Sequence, residues 1–325
     1  MLTVIRDSVL SLLPGKRKRG SNGWISFNAP CCHHRGESPD RRGRGGVIDS
    51  ADGAITYHCF NCNYKTSYRP GRHLNYGFRK LLSWLGADET LIRRLVIEAV
   101  RVKDTQPEIA YNDTATEIFF KPRSLPDDVR LIDEDPVAFQ YCHGRKIDLD
   151  RYPLLVSQRT EYNLNRRIII PFTWRNELIG YTARAWDPFV KPKYHSQYDS
   201  NYVYNIDRQL PNSKFVIVVE GPIDAMSIDG VAVLSNECSE TQADIIDSLA
   251  REVIVVPDRD RAGTKLIDAA IEFGWTVSFP VWHETSKDVN EAVVRYGRLF
   301  VLKSILDSRE TGRLKIELKR KRLYS

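Results

Sequence analysis

The hydrophobic and polar positions of this chain follow a regular alternation between residues 215 and 296. Short, nearly continuous apolar runs alternate there with longer segments of helical period. This alternation is typical of parallel strands whose two faces are both covered by helices. We expect strands at 215–219, 231–234, 253–256 and 276–281, and helices at 222–229, 240–250, 262–273 and 289–296.

Upstream of this region the pattern changes twice. Residues 74–102 have a helical period, and Asp88 is placed to cap a second helix within them. The polar stretch 104–114 is typical of a linker. Residues 166–186 predict two strands that are joined by a polar turn at 175–177.

Composition narrows the class of protein. With 325 residues, 42% of them hydrophobic and 28% charged, the chain can bury sizeable cores, which excludes a wholly disordered protein. No apolar run reaches the roughly 18 residues of a membrane span, and the first residues lack the pattern of a secretory signal. We therefore expect a cytoplasmic protein with no membrane partner.

The formal net charge of +6 averages over unlike regions. Lys and Arg outnumber Asp and Glu in residues 1–80 and 298–325, whereas the acids are in excess between them. This distribution is compatible with two ends that bind polyanions and a centre that binds cations, but charge alone favours two solvated basic tails.

Four of the six cysteines lie near the amino terminus, in the segments Cys31-Cys32-His33-His34 and His58-Cys59-Phe60-Asn61-Cys62. Each segment offers two soft ligands separated by two residues, which suits one tetrahedral zinc ion in a closed, structural site. The predicted ligands are Cys31, His34, Cys59 and Cys62. Cys32, His33 and His58 compete for the same positions.

The residues around these cysteines favour contact with nucleic acid. Arg41, Arg42 and Arg44 lie in a glycine-rich loop, where phosphate can approach the backbone. Aromatic and basic residues interleave around the second cysteine pair, namely Tyr57, Phe60, Tyr64, Lys65, Tyr68 and Arg69. Proteins that bind single strands combine stacking faces and charges in this way. At least two of the aromatic residues should instead form the small core of this region.

Acidic residues follow three of the predicted parallel strands. Glu220 follows the first strand, Asp258 and Asp260 follow the third, and Asp288 follows the fourth. Because the carboxyl ends of parallel strands meet at one edge, these acids should face one crevice. Clustered carboxylates select Mg²⁺ or Mn²⁺. For Asp224, a metal ligand and a stabiliser of a first helical turn remain equal alternatives.

The combination of E-G-x-x-D and D-x-D-x-A-G after two apolar strands resembles the toprim domain of primases, topoisomerases, some nucleases and recombination mediators. The segments Tyr-His-Cys-Phe-Asn-Cys, Arg-Arg-Ile-Ile-Ile-Pro-Phe and Ile-Gly-Tyr-Thr-Ala-Arg precede it, in the order found in DnaG-type DNA primases. The compact length is most similar to the primases of T-even-type tailed phages. The resemblance covers roughly residues 20–300.

This resemblance implies an α/β protein in which a zinc ribbon precedes a primase core with a doubly wound toprim sheet. The implied parts are 1–73 (zinc ribbon), 74–114 (helices and linker), 115–212 (basic α/β subdomain), 213–298 (toprim) and 299–325 (helix and basic tail). The implied activity is Mg-dependent synthesis of RNA primers from ribonucleoside triphosphates on single-stranded DNA. A replicative helicase and a single-strand-binding protein are implied partners, and a phage enzyme would work in the host cytoplasm.

The resemblance also implies roles for individual residues. Asp258 and Asp260, with Asp288, would hold magnesium, and Glu220 would either bind metal or take the proton of the attacking hydroxyl. Phosphates of the template or nucleotide would be bound by Arg166, Arg167, Arg184 and Lys193. A toprim nuclease and a non-enzymatic recombination mediator are the competing interpretations.

Overall fold

The computed structural model describes residues 2–105, 118–158, 163–249, 251–260, 263–283 and 286–324. The chain forms two compact units, of which the first comprises Met1–Glu117 with Asp247–Ala250 and the second comprises Ile118–Ile246 with Arg251–Ser325. The predicted linker at 104–114 lies almost entirely outside the described residues.

An antiparallel sheet forms the centre of the first unit. Its strands are β1 (Arg17–Arg19), β2 (Ile25–Phe27), β3 (Gly45–Asp49), β4 (Ile55–Cys59) and β5 (Lys65–Tyr68), and they pair in chain order. Buried and half-exposed residues alternate along β4, where Ile55, Tyr57 and Cys59 are buried. One face of the sheet therefore packs on a core while the other is open to solvent.

In the described part of the first unit, three helices accompany the sheet: α1 (Val4–Leu12), α2 (Tyr76–Trp84) and α3 (Glu89–Thr105). The predicted helical segment is thus confirmed, and Asp88 accepts the N–H of Leu91 at 2.7 Å, as expected of a cap. Asn75 caps α2 in the same way, through the N–H of Phe78 at 2.8 Å. Buried residues of all three helices and of the sheet share one core.

The second unit begins with another antiparallel sheet, whose strand order is β10-β9-β8-β7-β6. Its strands are β6 (Arg130–Leu131), β7 (Leu155–Val156), β8 (Arg167–Trp174), β9 (Glu177–Ala185) and β10 (Tyr194–Gln197), and α4 (Pro136–Gly144) lies between β6 and β7 in the chain. The hairpin β8–β9 confirms the predicted strand pair. Arg175 and Asn176 both have positive φ angles, of 52° and 66°, which matches the twist of a tight hairpin turn.

A mostly parallel sheet follows, in the order β12-β11-β13-β14-β15. It consists of β11 (Phe215–Val219), β12 (Val231–Ala232), β13 (Glu252–Val255), β14 (Thr276–Ser278) and the antiparallel edge strand β15 (Arg309–Glu310). Its helices are α5 (Pro222–Ile228), α6 (Glu240–Asp247), α7 (Gly263–Phe273) and α8 (Val289–Tyr296). The predicted alternation is confirmed. Because β12 and β13 flank β11 on opposite sides, the sheet has a switch point at β11, where ligands bind in such folds.

The carboxy-terminal segment contains α9 (Arg298–Asp307) and α10 (Arg313–Tyr324). Val301 and Ile305 of α9 are buried, whereas Leu299 and Phe300 are exposed, so α9 packs by one side only. The replicative helicase that the resemblance implies as a partner stays a prediction. Within the described ranges, no helix combines the length and the apolar character that crossing a bilayer requires.

Candidate zinc site and candidate active site

Four cysteine side chains meet beside the end of β4. The Sγ atoms of Cys31, Cys32, Cys59 and Cys62 all lie within 4.8 Å of one another, and the four thiols are free. The sulfurs of Cys31 and Cys62 are 3.4 Å apart, and those of Cys32 and Cys59 are 3.5 Å apart. Sulfurs at about 2.3 Å from a tetrahedral zinc ion would stand about 3.8 Å from each other. The cluster therefore fits zinc in both donor type and spacing.

Polar groups around the cluster are placed to donate hydrogen bonds to the sulfurs. The hydroxyl of the buried Tyr57 lies 3.2 Å from Cys31 Sγ, and the Asn61 amide donates to Cys32 Sγ at 3.4 Å. Burial opposes ionisation of Cys59, but hydrogen bonds from the backbone of Cys62 and Asn61 lower its pKa. Such outer-shell donors stabilise the negative charge that four thiolates concentrate around one ion.

The structure brings Cys32 into the cluster in place of the predicted His34. Both Cys31 and Cys32 are fully buried, whereas the turn His33–Arg35 that follows them is exposed. The His34 ring stacks on Trp84, with 5.2 Å between ring centroids and 9° between planes. The chain turns away from the cluster only after Cys32, so both Cys31 and Cys32 could bind the same zinc ion.

The glycine-rich loop that carries Arg41, Arg42 and Arg44 is held by the buried Asp40, which no sequence motif indicates. Asp40 accepts backbone N–H groups from Ala29 at 2.9 Å, from Arg42 at 3.0 Å and from Arg44 at 2.7 Å. Burial opposes ionisation, but these bonds and the Arg44 side chain lower the pKa of Asp40 to about 2. Arg44 also donates to Asn61. Arg44 is therefore held inside the loop, whereas Arg41 and Arg42 are exposed.

The solvent-facing side of the first sheet carries an aromatic centre between two lysines. One row of cross-strand partners runs through all five strands, in the order Lys18, Ser26, Gly46, His58 and Lys65. A Cβ on Gly46 would lie 2.9 Å from the ring of Trp24, so glycine is what allows this ring to lie on the strand. Phe60 is 62% exposed, and its ring contacts Trp24 and His58, with centroids 6.0 and 4.3 Å away.

The remaining aromatic residues of this region lie on the other side of the sheet. Tyr57, Tyr64 and Tyr68 are all buried, which confirms that at least two of the interleaved aromatics belong to the core. We define the stacking surface as Trp24, His58 and Phe60, flanked by Lys18 and Lys65.

In the second unit, four carboxylates line a pocket of about 300 Å³. Glu220 follows β11, Asp224 belongs to the first turn of α5, Asp258 follows β13, and Asp288 immediately precedes α8. The ends of β11 and β13 and the starts of α5 and α8 thus bring together three of the predicted acids and Asp224. Asp224 is buried, and it accepts the N–H of Asn290 at 2.8 Å.

Two of the predicted acids also cap helices. Asp288 accepts the N–H of Glu291 at 2.7 Å at the start of α8. Asp260 accepts the N–H of Gly263 at 3.0 Å at the start of α7, and it is exposed rather than part of the pocket wall. A Cβ on Gly263 would lie 2.2 Å from the carbonyl oxygen of Asp258, so a side chain there would displace the acid loop. Asp260 therefore lies on this loop beyond the pocket lining.

Burial and mutual repulsion raise the pKa values of the pocket acids. Burial raises the pKa of Glu220 to about 7, with further contributions from Asp260 and Asp224, although the N–H of Asp258 opposes the shift. Burial, followed by the charges of Glu220, Asp288 and Asp260, raises the pKa of Asp258 to about 8. The pKa of Asp224 is raised well above its ordinary value by burial and by Asp288 and Asp258. Acids that repel each other in this way favour a bound cation.

Basic side chains line the same pocket. Arg184 is 9% exposed, and its guanidinium donates to the Tyr141 hydroxyl at 3.1 Å and to the Tyr194 hydroxyl. Lys193 also lines the pocket, and burial together with the charge of Arg184 lowers its pKa. Arg184 and Lys193 therefore repel each other, as the acids do. An anionic ligand bound to both would relieve this repulsion. Nothing in the sequence singled out Tyr141.

The other two predicted phosphate contacts lie elsewhere. Arg167 is fully buried, and its guanidinium donates to three backbone carbonyls, those of Asn163, Ala183 and Lys193. Its predicted contact with phosphate is therefore corrected to a structural role within the sheet. Arg166 is exposed and donates to Asp187 at 3.1 Å.

The donor chemistry of the pocket suits magnesium or manganese. Among the described residues, no three acidic side chains approach one another as closely as the four sulfurs do. Mg²⁺ usually takes one or two carboxylates and keeps several water ligands, so it does not need a compact cage. Asp258 and Asp288, which line one pocket, fit this requirement.

Comparisons with known proteins place part of this chain. Residues 217–293, which include Asp260 and the four acids of the pocket, match the family model described as Toprim-like. In an alignment of 152 residues that covers 41% of this chain, the sequence is 25% identical to a DNA primase of Aquifex aeolicus. The chain spans only 30% of the length of that relative.

Among solved structures, the zinc-binding and RNA polymerase domains of the Aquifex aeolicus primase are similar at a TM-score of 0.47 and 17% identity, covering 94% of this chain and 83% of that one. The primase fragment of the bacteriophage T7 primase-helicase is similar at a TM-score of 0.39 and 13% identity, covering 87% and 98%. The chain thus contains a Toprim-like region and is similar over part of its length to a DNA primase.

Proposed function

We propose that this protein is a DNA primase, which synthesises short RNA primers on single-stranded DNA by Mg-dependent nucleotidyl transfer. The observation that carries the proposal is the pocket that Glu220, Asp258 and Asp288 line together with Arg184 and Lys193. Phosphoryl transfer requires acids that can hold a divalent metal ion and, in the same pocket, basic side chains that can hold phosphate. The similarity to a DNA primase supports the same activity.

In the proposed reaction, a ribose 3′-hydroxyl attacks the α-phosphorus of a ribonucleoside triphosphate. The new O–P bond forms as the bond to pyrophosphate breaks, and Glu220 accepts the hydroxyl proton, since its pKa of about 7 suits a general base near neutral pH. Asp258 and Asp288 would hold Mg²⁺ or Mn²⁺, which when bound neutralises charge on the triphosphate. Asp260 lies on the loop of Asp258 beyond the pocket lining, and it would add negative charge nearby.

Arg184 and Lys193, which line the same pocket, would bind the triphosphate. The hydroxyls of Tyr141 and Tyr194 hold the Arg184 guanidinium, so its orientation is fixed before substrate arrives. A planar guanidinium that is fixed in this way can present two N–H groups to one phosphate. Arg166, exposed beside Asp187, would instead contact the template.

The first unit would bind the template. Zinc held by Cys31, Cys32, Cys59 and Cys62 would be structural, because a site with four thiolates leaves no position open for substrate. The stacking surface would take unpaired bases on its rings while Lys18 and Lys65 neutralise phosphates.

Phe60→Ala is expected to weaken the binding of single-stranded DNA by about tenfold, because stacking of one base contributes roughly 1–3 kcal/mol. Lys65→Ala should act differently, reducing the dependence of log affinity on log salt by about 0.7, the effect of one phosphate contact. Fluorescence anisotropy with a labelled oligonucleotide at several salt concentrations measures both. Phe189→Ala is the matched control, because Phe189 is 90% exposed in the second unit. An equal loss in this control would contradict the assignment of the stacking surface.

One assay separates the proposed function from its competitors. The protein is incubated with single-stranded DNA, labelled ribonucleoside triphosphates and Mg²⁺. Short RNA products are expected of a primase, whereas shortened DNA would identify a nuclease. DNA binding with neither product would identify a non-enzymatic mediator.

A further inference from the structure

Arg259 lies between the two acids of the D-x-D loop, yet its side chain is bonded to a different loop. The guanidinium donates to the carbonyl oxygens of Pro280 at 2.5 Å, Trp282 at 3.0 Å and His283 at 3.4 Å. These residues follow β14. Arg259 therefore joins the loop after β13 to the loop after β14.

The backbone of Arg259 makes a second connection in the same direction. Its N–H donates to the carbonyl of Lys287 at 3.0 Å, and Lys287 directly precedes Asp288. The guanidinium carbon also lies 5.1 Å from the centre of the Trp282 ring, and Trp282 is buried. One residue thus links the loop that carries Asp258 to the loop that ends in Asp288.

We propose that Arg259 is a positioning residue, which fixes the loop of Asp258 relative to Asp288 and thereby sets the affinity of the pocket for a divalent cation. This inference rests on the proposed function, because the cation is the one that the proposed reaction uses. Arg259 is absent from the pocket lining, so it acts through the acids and not by touching a ligand.

The physical basis is the repulsion between these acids. Asp258 and Asp288 line one pocket and carry like charges when ionised, so without restraint the two loops would move apart. A guanidinium can hold several carbonyls at once, whereas an ammonium group is a single point charge. The three carbonyl contacts therefore depend on the shape of arginine as well as on its charge.

The test measures cation binding directly, without DNA or nucleotide. Free Mn²⁺ is followed by electron paramagnetic resonance during titration of the full chain, for the wild type, Arg259→Met, Arg259→Lys and Asp258→Asn. Arg320→Met is the matched control, because Arg320 pairs with Asp268 on α7 and has no part in either loop. Thermal unfolding of each variant is recorded in parallel.

Arg259→Met is expected to raise the Kd for Mn²⁺ about tenfold or more, as is typical when an outer-shell partner of a metal site is removed. Arg259→Lys should show most of this loss, and Arg320→Met none. An Mn²⁺ affinity within twofold of the wild type in Arg259→Met, or in Arg259→Lys where the Met variant does not fold, overturns the inference. If Asp258→Asn loses Mn²⁺ binding while the Arg259 variants keep it, the inference about Arg259 is wrong and the proposed function stands. Unchanged Mn²⁺ binding in Asp258→Asn would contradict the proposed cation site, and with it both the inference and the proposed function.

Discussion

Asp258→Asn should lower the rate of RNA primer synthesis about a thousandfold or more. The substitution keeps the size of the side chain and the backbone N–H that is donated to Glu220 at 3.4 Å, but it removes one charged oxygen ligand. A metal ion supplies several kcal/mol of charge stabilisation in reactions of this kind, and about 4 kcal/mol corresponds to a thousandfold in rate. Extension of labelled primers on single-stranded DNA measures the loss.

The same variant should be at least as stable as the wild type when metal is absent. Asp258 has a pKa of about 8 in the folded protein, raised first by burial and then by Glu220 and Asp288. An acid whose pKa is higher in the folded than in the unfolded state disfavours folding once it ionises. Metal-free wild type should therefore lose stability as the pH rises from about 4 to about 8, and Asp258→Asn should lose less. Thermal unfolding of both proteins without added Mg²⁺ or Mn²⁺, under conditions that leave the proposed zinc of the first unit in place, measures the difference.

Two comparisons make the result specific. Asp307→Asn removes an exposed acid that pairs with Lys303 on α9, and it should leave both synthesis and stability nearly unchanged. Binding of single-stranded DNA by Asp258→Asn should equal that of the wild type, because the stacking surface is not altered. Primer synthesis retained by folded Asp258→Asn would exclude this acid as a metal ligand.

The parallel sheet could be predicted because its signal is local. Each strand is a short apolar run, and a helical pattern follows at once, so β11, β13 and the acids at their carboxyl ends are visible without tertiary information. Asp224 could not be settled in the same way. Its place in the first turn of α5 suits a helix-stabilising acid, and only the approach of Asn290 and Asp288 makes it a buried member of the pocket.

The arginines show a second limit of the sequence. Arg166 and Arg167 are adjacent, so a pattern of residue types cannot decide which of them faces the interior of the sheet. Arg166 has a φ angle of 55° and precedes the first residue of β8, which turns Arg167 inward and leaves Arg166 in solvent. Tyr141 is harder still, because it meets Arg184 from α4, which is distant in the chain.

Cys31 and Cys32 are also adjacent, so the sequence alone cannot decide which of them binds zinc. We expect Cys32→Ser to abolish zinc binding. In the structure the Cys32 sulfur lies 3.5 Å from Cys59 and receives the amide of Asn61, as a ligand should. Structural zinc in small domains contributes apparent binding free energies of about 10–16 kcal/mol, and this energy also supports folding. The variant should therefore purify without zinc and with a first unit that unfolds at lower temperature. Atomic emission and thermal unfolding measure the two effects.

His34→Gln is the informative partner of this substitution, since the sequence alone placed His34 among the ligands. Its ring stacks on Trp84 outside the four sulfurs, so the variant should keep its zinc and lose only a ring contact. A chelator should then remove zinc from His34→Gln and from the wild type at similar rates. The opposite pattern, with zinc retained by Cys32→Ser and lost by His34→Gln, would restore the ligand set with one histidine. In that case the turn His33–Arg35 must move toward the cluster when the metal binds.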